Sequence, residues 1–145
     1  LLPVQVSGDF RDVPLREVLK EFAHQVDGEA GRPVMWTYAA AAGAKAGGKV
    51  RYSCRDKPLA EVLPELLGKA GLAFVVLAEE DGPRDGWVWV VPPDEAEAYR
   101  RFVQARGLVG EKPADARLLL RSVATKYPKT QSAGRAEALL KELTK

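Results

Sequence analysis

Residues Phe10–Leu19 read FRDVPLREVL, and residues Cys54–Leu63 read CRDKPLAEVL. Aligned 44 positions apart, Arg11–Glu21 and Arg55–Glu65 are identical at eight of eleven positions. After Pro14 the apolar residues fall at Leu15, Val18, Leu19, Phe22 and Val26; after Pro58 they fall at Leu59, Val62, Leu63, Leu66 and Ala70. That spacing is the buried stripe of a helix, so the chain carries a duplicated helix. Proline lacks an N–H and presets φ, which suits a first helical turn. Asp12 and Asp56 are expected at the helix starts, where unpaired N–H groups favour a carboxylate. Pro64 lies inside the second helix and predicts a kink between Ala60 and Pro64.

Outward from the repeat the periodicity changes to two. PVQVSGDF leads into the first helix, and PVMWTY follows it after the turn DGEAGR. The second copy has KVRYSCR before its helix and LAFVVLA after it, then adds GWVWVV beyond the turn-rich EEDGPRDG. The reading is an α+β domain of order β-α-β-β-α-β-β. Leu72–Ala78 and Trp87–Val91 are apolar on both faces, which predicts strands covered on both sides. AAAAGAKAGGK, between the copies, reads as a loop with one helical turn at its alanines.

Beyond Pro92 the β signals stop, dividing the chain into residues 1–92 and 93–145. Three helical stretches follow, at Asp94–Arg106, Ala114–Lys126 and Gln131–Leu143, with Pro113 and Pro128 as breakers and Thr130 as N-cap. Leu119, Val123 and Tyr127 can face Ala136, Leu139, Leu140 and Leu143 in an antiparallel hairpin. The stripe is narrow, so the hairpin is expected to pack on the β-containing domain or on a partner.

Composition narrows the class. Of 145 residues, 46% are hydrophobic and 29% charged, the balance of a soluble globular chain. No run approaches the ~18–20 apolar residues of a membrane span. The net charge of +2 arises from interspersed charges, so no one-sign field draws nucleic acid or anionic lipid. Cys54 is the single cysteine, which excludes an intrachain disulfide; its alternating position in VRYSCR marks it as a small buried side chain. The opening LLPVQV lacks the basic start and apolar core of an export signal, which is expected to have been removed or never present.

Gly43–Val50, GAKAGGKV, satisfies the start of a phosphate-loop pattern, but Val50 stands where Ser or Thr must bind Mg²⁺ and a strand begins where a helix is needed. His24 is the sole histidine, read as a helix-surface residue. Glu79 with Glu80, and Glu95 with Glu97, read as turn and helix-start carboxylates. The residues supply no catalytic set, no metal set and no cofactor cradle. A ferredoxin-like domain shares the order β-α-β-β-α-β and stacks bases on strand aromatics, but VQVSG has none and VRYSC only Tyr52. A ligand pocket in such a domain would be ringed by several of Tyr38, Lys45, Lys49 and Tyr52. Trp36, Trp87 and Trp89 read first as core; the functional reading is that Trp87 and Trp89 flank a strand edge that accepts a partner's strand.

The segments VSGDFRDVPLREVLKEFAHQV, GKVRYSCRDKPLAEVLPELLGKAGLAFVV and GWVWVVP together resemble the short N-terminal domain (STN-like) shared by bacterial secretins and TonB-dependent receptors. The likeness covers about Val4 to Pro92. It implies two helices between two small sheets, a periplasmic or otherwise exported location, and docking on another envelope protein without catalysis, cofactor or nucleic acid. The chain has no further secretin module, no barrel and no TonB-type box, and its linker is long for the family. The tail LLLRSVATKYPKTQSAGRAEALLKEL resembles a tetratricopeptide-type helix pair, which implies an adaptor or part of a longer array.

Overall fold

Each copy of the repeat folds as a long strand running directly into a helix. The computed structural model describes residues 2–79 and 82–144. In order, the elements are β1 (Gln5–Pro14), α1 (Leu15–Ala30), β2 (Trp36–Tyr38), α2 (Ala40–Lys45), β3 (Lys49–Pro58), α3 (Leu59–Lys69), β4 (Ala73–Val76), β5 (Val88–Val91), α4 (Pro93–Leu108), α5 (Pro113–Lys126) and α6 (Gln131–Leu143). β1 pairs antiparallel with β3 in one sheet; β2, β5 and β4, in that order, form a second, mixed sheet. The five strands therefore divide between two sheets and do not form the single sheet of a ferredoxin-like domain. The chain separates into two compact units, residues 1–92 and 93–145.

The pairing of β1 with β3 inherits the duplication. Gly8 faces Cys54 and Phe10 faces Tyr52; Gln5 faces Pro58 and Pro14 faces Lys49; Val6 faces Lys57 and Val13 faces Val50. Shifting every residue by the repeat offset turns each pair into its mate, while Asp9 opposite Ser53 maps onto itself. The ribbon thus has an approximate two-fold axis at Asp9–Ser53. Its two irregularities, between Val6 and Gly8 and between Phe10 and Val13, are also mates. Asp56 and Asp12 sit there with φ of 46° and 54°.

This corrects the expectation for both aspartates. They do not start helices but occupy left-handed bulge positions inside strands, a conformation Asp tolerates better than most residues. Pro14 and Pro58 are N-caps in place of first-turn residues, and neither cap supplies a side-chain hydrogen bond. The free N–H groups find main chain instead. Leu15 and Arg16 donate to Gly48 and Ala46 carbonyls at 2.9 Å; their mates Leu59 and Ala60 donate to Val4 at 3.0 Å and Leu2 at 2.9 Å. Each helix is capped by the segment leading into the other copy's strand. Asp12→Val is expected to cost about 1–2 kcal/mol because a β-branched residue resists that φ. Asp12→Gly should cost nothing, and urea melts of the two variants check the difference.

α1 runs on through Asp27–Ala30, which the sequence reading placed in a turn, and stops at Gly31, whose φ of 79° and N–H bond to Asp27 close it. α3 continues past Pro64 to Lys69. Ala60 and Pro64 are both exposed, so the carbonyl that Pro64 leaves without a donor has water at hand. The buried stripes match the expected ones except that Leu67 joins α3's in place of Ala70. Phe22 meets the Phe10 ring of β1 edge-on at 5.5 Å, and the Trp36 indole of β2 donates to the Leu19 carbonyl at 3.1 Å. α3 touches β3 through Tyr52 and also packs on β4. The two helices lie between the two sheets. Of the two runs expected to be covered on both faces, Val88–Val91 are buried at every position, but Trp87 is half-buried and β4 is covered on one face only, with Val75 buried and Val76 43% exposed at the edge of its sheet.

In the second unit α4, α5 and α6 pack together around Ala98, Phe102, Ala105, Leu120, Val123, Ala133 and Ala136, with Leu119, Tyr127, Leu139, Leu140 and Leu143 half-buried at its margin. The alanines let the axes approach closely. Thr130 caps α6 as expected, its Oγ1 accepting from Ala133 N–H at 3.1 Å. Glu95 has a role its sequence position does not announce. It is 5% exposed, and its carboxylate accepts from Gln131 N–H at 2.7 Å and Ser132 N–H at 3.2 Å. A carboxylate from α4 thereby completes the N-terminus of α6.

Candidate docking surface

One end of the three-stranded sheet carries an apolar groove of about 460 Å³, lined among others by Arg32, Pro33, Met35, Val76, Asp85 and Trp87. Three strands converge on it. Met35 directly precedes β2, Val76 ends β4, and Trp87 directly precedes β5. Val88 N–H donates to the Met35 carbonyl at 2.9 Å, and Leu77 N–H to the Trp87 carbonyl at 2.8 Å, so backbone ladders fix the three positions. Gly86, at φ 82°, turns the chain into β5 and donates to the Leu77 carbonyl at 2.8 Å. Asp85 holds the same turn by accepting from Glu79 N–H at 2.8 Å. The Arg84 guanidinium lies 5.6 Å over the Trp87 ring.

Met35 is 45% and Val76 43% exposed, two of the three large apolar side chains exposed among the described residues. Covering such side chains fully is worth about 1.5–3 kcal/mol each. Trp87 is half-buried between them, and Arg32 and Asp85 give the groove a polar rim. An apolar centre with a charged rim is the composition of a protein contact surface.

The two tryptophans expected to frame a strand edge part company. β5 is the central strand of its sheet, between β2 and β4, so Trp87 and Trp89 do not flank an edge. Trp89 is buried opposite Thr37 and Val75. Trp87 alone reaches the groove. The edges belong to β2 and β4, and Met35 and Val76, at the ends of those strands, carry no signal in the sequence beyond being apolar. Trp36 is half-buried and not in the core proper, its indole donating to the Leu19 carbonyl of α1.

No cavity identified among the described residues brings Tyr38, Lys45, Lys49 and Tyr52 together. Tyr38 lies under the Arg16 guanidinium at 4.9 Å. Burial pushes its hydroxyl pKa up against the opposing pull of Arg16. Tyr52 points inward and donates to Glu65 at 2.9 Å. Burial first, then that bond, pushes its pKa far above the usual tyrosine value. Lys57 bonds the other Glu65 oxygen; this bond first and Tyr52's second hold the Glu65 carboxyl below the usual range, and the same bond raises Lys57. The trio ties β3 to α3.

GAKAGGKV presents carbonyls to the start of α1, the reverse of a phosphate cradle, in which N–H groups face the ligand. Cys54 is half-buried with its thiol pKa raised by burial, and its Sγ lies 3.6 Å from the Val6 carbonyl. His24 is exposed on α1. Among the described residues no three His, Cys, Asp or Glu side chains are grouped to hold a metal, and no helix is long and apolar enough to cross a membrane. Comparisons with protein-family models, with curated proteins and with solved structures found no match to this chain.

Proposed function

We propose that residues 1–92 form a non-enzymatic docking domain of a bacterial envelope protein, of the kind secretins and TonB-dependent receptors carry at their N-terminus, and that the groove beside Trp87 is its contact surface. The observation that carries this reading is the juxtaposition of exposed Met35 and Val76 with Trp87 where three strands converge. Two helices between a two-stranded and a three-stranded sheet is also the arrangement the resemblance implies. Residues 93–145 are then a tetratricopeptide-type adaptor, whose half-buried Leu139, Leu140 and Leu143 offer a further helix something to stack on.

Photocrosslinkers placed singly at Met35 and Val76 in the full chain, in cells, test the groove. The same partner protein is expected from both positions, and Trp87→Ala should reduce its capture at least about tenfold, as loss of an aromatic anchor does. Capture unchanged by Trp87→Ala, or different products from the two positions, would overturn the assignment.

A further inference from the structure

The approximate two-fold of the β1–β3 ribbon exposes one place where the copies differ. On the first copy the Gln25 side chain of α1 covers the outer edge of β1: its Oε1 accepts from Ser7 N–H at 2.8 Å and its Nε2 donates to the Ser7 carbonyl at 2.6 Å. A side-chain amide stands there in place of a neighbouring strand. Under the repeat offset Ser7 becomes Arg51 and Gln25 becomes Lys69. An ammonium donates but cannot accept, so Lys69 cannot bond the Arg51 N–H as Gln25 bonds that of Ser7. Strand alternation turns the main-chain groups of Ser53 to the same edge.

An open concavity of about 540 Å³ occupies this position, lined by Asp9, Arg11, Arg51, Tyr52, Ser53 and Lys69. Three cations line it against one carboxylate. Asp9 lies 3.6 Å from Arg11, both well exposed, a pair worth little in water. Among the described residues neither Arg51 nor Lys69 makes an ion pair within 4.0 Å, and the Glu65 carboxylate, already bonded by Lys57 and Tyr52, is held below the usual range by those bonds first and by Lys69 in addition. Arg11 and Arg51 are near neighbours across the strands, an arrangement of like charges that costs stability unless an anion joins them.

We propose that this edge of β3 is a second docking site, at which an extended acidic segment of a protein partner adds a strand, bonding Arg51 and Ser53 through main chain while its carboxylates meet Arg11, Arg51 and Lys69. An unplugged strand edge calls for a peptide backbone, and the surrounding charge calls for Asp or Glu side chains at alternate positions. A nucleic acid fits less well, since Phe10 and Tyr52 turn their rings inward and Asp9, Asp12 and Asp56 stud the same ribbon.

This rests on the docking reading of residues 1–92 but uses a different surface. The test is NMR of the full chain with a blocked peptide alternating Glu and Val, beside a Lys–Val peptide, inorganic phosphate and a single-stranded oligonucleotide. Without peptide, the Arg51 amide is expected to exchange fast and the Ser7 amide slowly. The Glu–Val peptide should shift Arg51 and Ser53 and slow Arg51 exchange, more weakly as salt rises. Lys69→Gln restores the amide plug, so it should slow Arg51 exchange without peptide and weaken peptide binding about tenfold or more. Lys69→Met, which removes the charge without a plug, should weaken binding while Arg51 exchange stays fast. A protected Arg51 amide in the natural chain, equal peptide binding by Lys69→Gln, or equal shifts from phosphate or oligonucleotide would overturn the site. Such a failure with crosslinking at Met35 and Val76 intact overturns the β3 edge alone.

Discussion

Leu15→Ala and Leu59→Ala are each expected to lower the stability of residues 1–92 by about 2–5 kcal/mol, the cost of truncating a buried leucine and leaving a cavity. Both side chains are fully buried and are mates under the repeat offset. Each opens its helix, and each donates its N–H to the other copy, Leu15 to Gly48 and Leu59 to Val4. Exchanged caps and a shared ribbon leave neither copy a self-contained folding unit. Either variant should therefore loosen both halves together. Amides of Val6, Tyr52, Phe22 and Leu66 should lose exchange protection in step, with a single denaturation transition for the unit. Protection lost only in the mutated copy would mean that the duplication built two independent pieces, and the exchanged caps would then carry little of the stability.

The same repeat marks the limit of what local pattern reveals. Both helices, their buried faces, all five strands, the alanine turn and the three C-terminal helices are legible because each is a local periodicity or a local breaker. The bulges at Asp12 and Asp56 are not, because FRDVP and CRDKP lie next to helices and their acidic residues imitate caps. Only the partner strand, brought alongside by folding, makes those positions bulges. Sheet order is hidden for a related reason: GWVWVV reads equally well as an edge or a centre, and its place between β2 and β4 depends on where PVMWTY lands, about 50 residues earlier. Hence Trp87 and Trp89 read as a pair on a strand edge, the central place of β5 parts them, and nothing local marks Met35 and Val76 as the residues that meet Trp87 at one groove. The difference between Gln25 and Lys69 stands in the aligned repeat, but it acquires meaning only when Gln25 is seen bonded to the edge of β1.

Glu95→Ala should be the most damaging polar substitution in residues 93–145, costing about 2–4 kcal/mol, since it strips two main-chain donors of a charged acceptor at the positive end of a helix. Gln131 and Ser132 N–H would lose the carboxylate, leaving Thr130 to hold Ala133 alone. Glu95→Gln keeps an oxygen but gives up the charge and one of the two acceptors, so about 1–2 kcal/mol is expected. Ser132 supplies the contrast. Its hydroxyl is buried without a partner, so Ser132→Ala removes a desolvated group that does nothing and should be neutral or stabilising. Guanidinium melts of the full chain, followed by the amide NMR signals of Gln131, Ser132 and Ala133, would order the three variants. If Glu95→Ala melted with Ser132→Ala, the carboxylate would be incidental, and the close packing of Ala133 and Ala136 against α4 would by itself hold α6 in place.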